Sequence, residues 1–173
     1  MGHCRLLIVW LAIGVATTAH GAELQVQVLG TAGAPGSELC NRCADGDWLV
    51  DNGKLELVIG RSHRRDESFY KFPTADALGS IVYLRPVGSD ARGDVMIGTP
   101  YVRIDRTTRH VLYDELDMQQ SGDRVTIVAS GVYSDEHGAR IRFETRYVIV
   151  DDAERIDISL SATNVGTTRN TDF

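Results

Sequence analysis

Past its first 21 residues, the chain carries no stretch with a 3.6-residue apolar rhythm. That excludes a helical bundle and any fold built on amphipathic helices. The one weak helix candidate is Thr74–Leu78. Basic charge is in deficit: 18 Lys and Arg stand against 24 Asp and Glu, a formal net charge of −6. Phosphate contacts need clustered Lys and Arg, so nucleic acid is excluded as a partner. No later apolar run approaches the length of a membrane-spanning helix. Motifs of nucleophilic and metal-hydrolase chemistry are missing too, with no GxSxG, HxH or HExxH. Acids are plentiful, but nothing marks two of them as a glycosidase pair.

Cysteine is scarce, with three in the chain: Cys4, Cys40 and Cys43. The last two stand in LCNRCADG. A zinc site would need a second ligand pair at matching spacing, and none exists. A redox pair would want its first thiol at a helix N-terminus, whereas Ala-Asp-Gly-Asp is turn chemistry. No His follows Cys43, so haem attachment fails. The expectation is a structural disulfide, Cys40 with Cys43 or each with a cysteine outside this chain. No metal and no cofactor is expected.

What is present first is an address. Leu6 to Val15 reads LLIVWLAIGV, preceded by Arg5 and followed by the small residues ATTAHGA. This is the pattern of a secretory signal peptide, residues 1–21, cut after Gly21 or, as second choice, after Ala19. Cys4 precedes the apolar run and is therefore no lipoprotein anchor. Secretion or periplasmic export is expected. Loss of Arg5 would take the formal charge from −6 to −7. About 150 mature residues are enough for one domain with a sizeable core.

The mature region alternates with a period of two. Residues 22–46 hold a strand, Leu24–Leu29, and a Gly- and Ala-rich loop. Residues 47–173 read as the main domain. It opens on the hairpin GDWLVDNGKLELVIG, where Asn52-Gly53 fits a two-residue turn that would set Val50 opposite Leu55 and Trp48 opposite Leu57. Trp48, Val50, Leu55, Leu57 and Ile59 would share the buried face. Further strands are expected at Ser80–Arg85, Val95–Ile97, Tyr101–Ile104, His110–Leu116 and Asp123–Tyr133. The most strongly patterned pair is Arg140–Val150 and Arg155–Thr163, the second with Ile156, Ile158, Leu160 and Ala162 inward. Short strands with turns between them predict an all-β fold, an antiparallel β-sandwich. The chain then stops at Phe173, where a further strand is expected after the Asn164-Val165-Gly166 turn. This reads as an incomplete domain at the front of a longer protein; a small complete domain with a frayed tail is the simple alternative.

From Asp47 to Thr168, WLVDNGKLELVIG, a long loop, and then RFETRYVIVDDAERIDISLSATNVGTT resemble the galactose mutarotase-like class of large β-sandwich (supersandwich-type) domains. The resemblance implies a region such as stands at the front of secreted bacterial multidomain proteins, among them polysaccharide-active enzymes and metal-dependent hydrolases. No position here matches the catalytic His or Glu of mutarotases, so no catalytic residue carries over.

The candidate ligand-binding stretch is Arg61 to Phe72, the start of a long excursion running to Gly79. It gathers Arg61, His63, Arg64, Arg65, Tyr70 and Lys71 around Phe69 and Phe72. Aromatic faces against sugar rings, with charged groups bonding hydroxyls, suit a carbohydrate. The plainer account is a loop whose aromatics plug the sandwich edge. His110 opens a strand candidate and His137 lies in a turn. The outward row Arg142, Glu144 and Arg146, with Asp157, is expected to form cross-strand ion pairs. The functional expectation is a non-catalytic exported module that supports a downstream catalytic domain or binds carbohydrate. The alternative is a carbohydrate-active enzyme (epimerase, lyase or hydrolase) with its site on the sheet face and the 61–72 loop.

Overall fold

The computed structural model describes residues 23–30, 39–64, 76–97, 101–104, 107–135, 138 and 140–166. The signal-peptide reading, Arg65, Phe69, Tyr70, Lys71, Phe72 and His137 lie outside the described residues. Among the described residues the fold is all-β: two antiparallel sheets stacked as a sandwich, with a separate two-stranded ribbon. The first sheet takes β1 (Gln25–Val28), β2 (Trp48–Asp51), β3 (Leu55–Ile59), β4 (Ile81–Pro86) and β5 (Asp94–Ile97), in that order. The ribbon is β6 (Tyr101–Ile104) with β7 (Thr107–His110). The second sheet runs β11 (Ile156–Asn164), β10 (Arg140–Val150), β9 (Arg124–Ser134) and β8 (Glu115–Ser121).

The layers meet where the inward residues of both sheets are apolar. Leu24, Trp48, Val50, Leu57, Ile59 and Ile81 from one side pack on Val125, Ile127, Tyr147 and Ile149 from the other. Burial of such side chains contributes about 1.5–3 kcal/mol each, which makes this interface the main source of stability. The first sheet is covered on its other face as well. There Leu29, Cys40, Cys43, Ala77, Val82 and Tyr83 bury Val58.

The hairpin register differs from the two-residue reading. Val50 pairs with Leu57 and Trp48 with Ile59, a shift of two residues. Only Gly53 takes positive φ there, at 82°. Asn52 instead closes a longer turn, its Oδ1 accepting from the amides of Lys54 at 3.1 Å and Leu55 at 2.8 Å. A slip of two keeps every side chain on its expected face, because the strand period is two. Trp48, Val50, Leu57 and Ile59 are buried as expected, while Leu55 is only half-buried.

Two further expectations are corrected. His110–Leu116 is not one strand: β7 ends at His110, β8 begins at Glu115, and the four residues between them cross β9. Gly131 permits that crossing, since a Cβ there would stand 2.1 Å from the Leu112 carbonyl oxygen. The connection buries Val111 and Tyr113. The residues described within Thr74–Leu78 are not helical; Leu78 forms a lone parallel bridge with Gly60.

Candidate functional site

The described ends of the 61–79 excursion form a tight polar corner against the disulfide loop. Gly60 makes the close approach possible, because a Cβ there would lie 2.1 Å from the Ala77 carbonyl oxygen. The Gly60 amide donates to Ser80 O at 3.0 Å, and Gly79 N donates back to Gly60 O at 2.8 Å. Ala77 N donates to Arg64 O at 3.1 Å, so the neck of the excursion is closed by backbone bonds.

Two buried aspartates organise this corner. Asp47, fully buried, accepts four bonds. Its Oδ1 takes Arg61 N at 2.9 Å and Arg64 Nη1 at 3.0 Å. Its Oδ2 takes Ala44 N at 2.9 Å and Arg64 Nη2 at 2.6 Å. The bidentate fork is the strong geometry for a guanidinium on a carboxylate. Arg64 also donates to Arg42 O at 3.2 Å and Ser62 Oγ at 2.8 Å. Asp76 is the second organiser. Its Oδ1 accepts from the amides of Arg64 at 3.0 Å and Leu78 at 3.1 Å, and its Oδ2 lies 2.9 Å from His63 Nδ1. Burial alone would raise the Asp76 pKa, but the bonds from His63, Leu78 and Arg64 outweigh it and hold it below the ordinary 3.8.

The sequence-predicted cluster thus divides. Arg64 is committed to Asp47 and the disulfide loop, with only 27% of its side chain exposed. Arg61 lies with its guanidinium carbon 4.7 Å from the Trp48 ring centroid and donates to Gly46 O at 3.0 Å. His63 is different: Asp76 fixes its Nδ1 while 57% of the side chain meets solvent. The corner presents one oriented imidazole on a rigid, charge-balanced base. Asp47 and Asp76 are the residues sequence reasoning missed. Their signal was weak: acids beside a loop rich in Arg and His.

Cys40 and Cys43 are joined as a disulfide, with Cα atoms 5.2 Å apart. Both are buried and cap Val58, Val82 and Tyr83. Beside them a cleft of about 240 Å³ is lined by Asn41, Tyr83, Arg85, Arg92 and Asp94. Asn41 bonds both Asp94 oxygens, through its amide and its side-chain nitrogen, each at 3.1 Å. Among the described residues no three His, Cys, Asp or Glu side chains come together as a metal site.

The outward row is paired otherwise than the strand order suggested. Arg142 reaches across β9 to Glu115 at 2.6 Å, sharing Ser130 with it. The bonds from Ser130 and Arg142 hold the Glu115 carboxyl below its ordinary pKa. Arg146 pairs with Glu144, and Asp157 with Arg155, both at 3.3 Å.

The largest departure from expectation is on β11. Its register sets Ile158 opposite Tyr147, Leu160 opposite Thr145 and Ala162 opposite Phe143, all on the inner face. Those β10 partners are buried. Their β11 neighbours are not: Ile158 is 47% exposed and Leu160 58%. Ile156 still packs against the core, and cover is lost further along the strand. The inward pattern was right in direction, but no described element lies over it.

No family model matches this chain, and comparison with curated proteins and with solved structures found no match.

Proposed function

We propose that this chain is a non-catalytic β-sandwich module of a larger exported protein, one that supports a downstream domain. The observation that carries this reading is the bare apolar row Ile158, Leu160 and Ala162 on the core-facing side of the second sheet. Apolar rows on the inner face of a sandwich are normally covered, and a contiguous exposed one marks an interaction surface. The leader-like N-terminus supports export to the periplasm or beyond. The galactose mutarotase-like pattern supports a place at the front of a carbohydrate-active or hydrolytic protein. The test is the intact mass of the exported protein, read with the gene beyond codon 173. A mature species ending at Phe173 would sink the reading.

A second reading has its own observation. His63 is held by buried Asp76 and stays open to solvent at the neck of the excursion that carries Tyr70 and Lys71. An oriented imidazole near Arg61, in a sequence excursion that also carries Tyr70 and Lys71, suits hydrogen bonding to a carbohydrate hydroxyl or uronate carboxylate. Glycan-array binding weakened at least tenfold in H63A, with the fold retained by circular dichroism, is the expected result. Undiminished binding would remove the site.

A further inference from the structure

We infer that the downstream polypeptide docks by adding an antiparallel strand to the free edge of β11, its apolar side chains seated along Ile158, Leu160 and Ala162. This rests on the module reading above and names how the surface is used. Three observations support it. First, β11 ends its sheet: it pairs with β10 along its length, and among the described residues no strand lies on its far side. Half of its amides and carbonyls therefore face outward in the geometry that recruits another strand.

Second, β11 lacks the usual guards of an edge. The sequence IDISLSATN has no Lys, Arg or Pro, and Asp157 is its one charge. The register with β10 runs without a bulge from Ile141–Asn164 to Ile149–Ile156. The opposite edge of the same sheet behaves otherwise. β8 carries Glu115 and Asp117 outward, and its inward Leu116 and Met118 pack on the core. One edge is thus closed by charge and cover, while the other is unbroken by a bulge, carries one charge and is half apolar.

Third, the size of the patch selects a tethered occupant over a second copy. Three side chains on one strand offer far less than the roughly 800 Å² per partner that a stable free association buries. A segment of the same polypeptide meets the edge at an effective concentration of about millimolar and needs no such area. Val165 N and Gly166 N both donate to Arg140 O, at 2.8 and 3.1 Å, so as far as Gly166 the described chain stays beside the start of β10.

Residue-resolved hydrogen exchange on the natural exported polypeptide, after its intact mass is recorded, tests this. Pairing with β10 alone protects every second amide of β11; an added strand protects the alternate set as well. The expected result is a longer polypeptide in which both sets exchange about 100-fold or more slower than the same amides do in the urea-unfolded chain. Introducing L160K should restore fast exchange to the outward set, whereas S161K, on the opposite face, should not. A longer polypeptide with the outward set unprotected overturns strand addition and leaves the module reading standing. A mature chain ending at Phe173 overturns both. Protection that grows with concentration, together with a dimer in sedimentation, assigns the edge to a second copy and overturns the tethered strand.

Discussion

The side-chain amide of Asn52 donates to the carbonyl of Val150 at 2.8 Å, joining residues 98 apart and stitching the two sheets together at one end. The same nitrogen bonds Ala153 O at 2.9 Å, and Asp152 N returns a bond to Asn52 O at 2.7 Å. The oxygen of that side chain meanwhile closes its own turn. The Asn-Gly sequence looks like an ordinary hairpin signal, yet Asn52 is wholly buried and serves as the clasp between layers.

N52A removes four buried side-chain hydrogen bonds and leaves peptide groups of both sheets unmatched. At about 1 kcal/mol for each bond, plus the cost of stranded polar groups, a loss of about 4 kcal/mol or more is expected in urea denaturation. A change within about 0.5 kcal/mol, the range of ordinary surface substitutions, would show that the clasp is idle.

Much of this was legible in the sequence, and the misses share a cause. The alternation in Arg140–Val150 and in the hairpin gave face and strand correctly, because side-chain period is a local property. What Asn52 bonds, how Gly131 admits a crossing chain, and why Leu160 stays bare are set by residues far along the chain. Local pattern carries no record of them. The corner shows the same limit: Arg61, His63 and Arg64 were visible as a cluster, but their partners Asp47 and Asp76 became visible only when the chain folded back.

Asp47 is expected to be the keystone of that corner. D47A leaves the amides of Ala44 and Arg61 and the Arg64 guanidinium without their acceptor, in a site closed to water. A loss on the order of 3 kcal/mol is expected from denaturant curves, less than a fully enclosed ion pair would give because Arg64 is partly solvated. R64A should cost less, since Asp47 keeps its two backbone donors. The reverse order would show that the guanidinium, and not the carboxylate, organises the loop.

Asp76 makes stability depend on acid. Its folded pKa lies below the ordinary 3.8, so its contribution is complete above that value and is lost as pH falls through the folded pKa. Thermal midpoints recorded downward from pH 5 should therefore fall more steeply for the native protein than for D76N. Parallel curves would mean that His63 and the two amides do not favour the charged form.

Gly79 and Gly122 both take positive φ, at 70° and 59°, but their surroundings differ. A Cβ on Gly79 would sit 2.5 Å from the Ala129 Cβ and 2.8 Å from the Tyr113 ring; on Gly122 it meets nothing. Gly79 O also accepts the Tyr147 hydroxyl at 2.7 Å. G79A should block folding or remove most of the stability, whereas G122A should cost only the backbone strain, about 1–2 kcal/mol. Comparable melting temperatures for the two variants would refute the packing described around Tyr113.

Leu160 provides the last contrast, between stability and association. A core leucine replaced by a small polar residue loses about 2–5 kcal/mol. Leu160 is already 58% exposed, so L160S should change the stability of this chain by no more than about 0.5 kcal/mol. Its effect should appear instead in light scattering at raised concentration, where an unbulged edge with a single charge and a bare apolar row invites strand-to-strand aggregation. Lower scattering with an unchanged melting temperature would mark β11 as a surface kept apolar for a partner. A melting temperature lowered as far as for a buried leucine would mean that residues beyond those described already cover it.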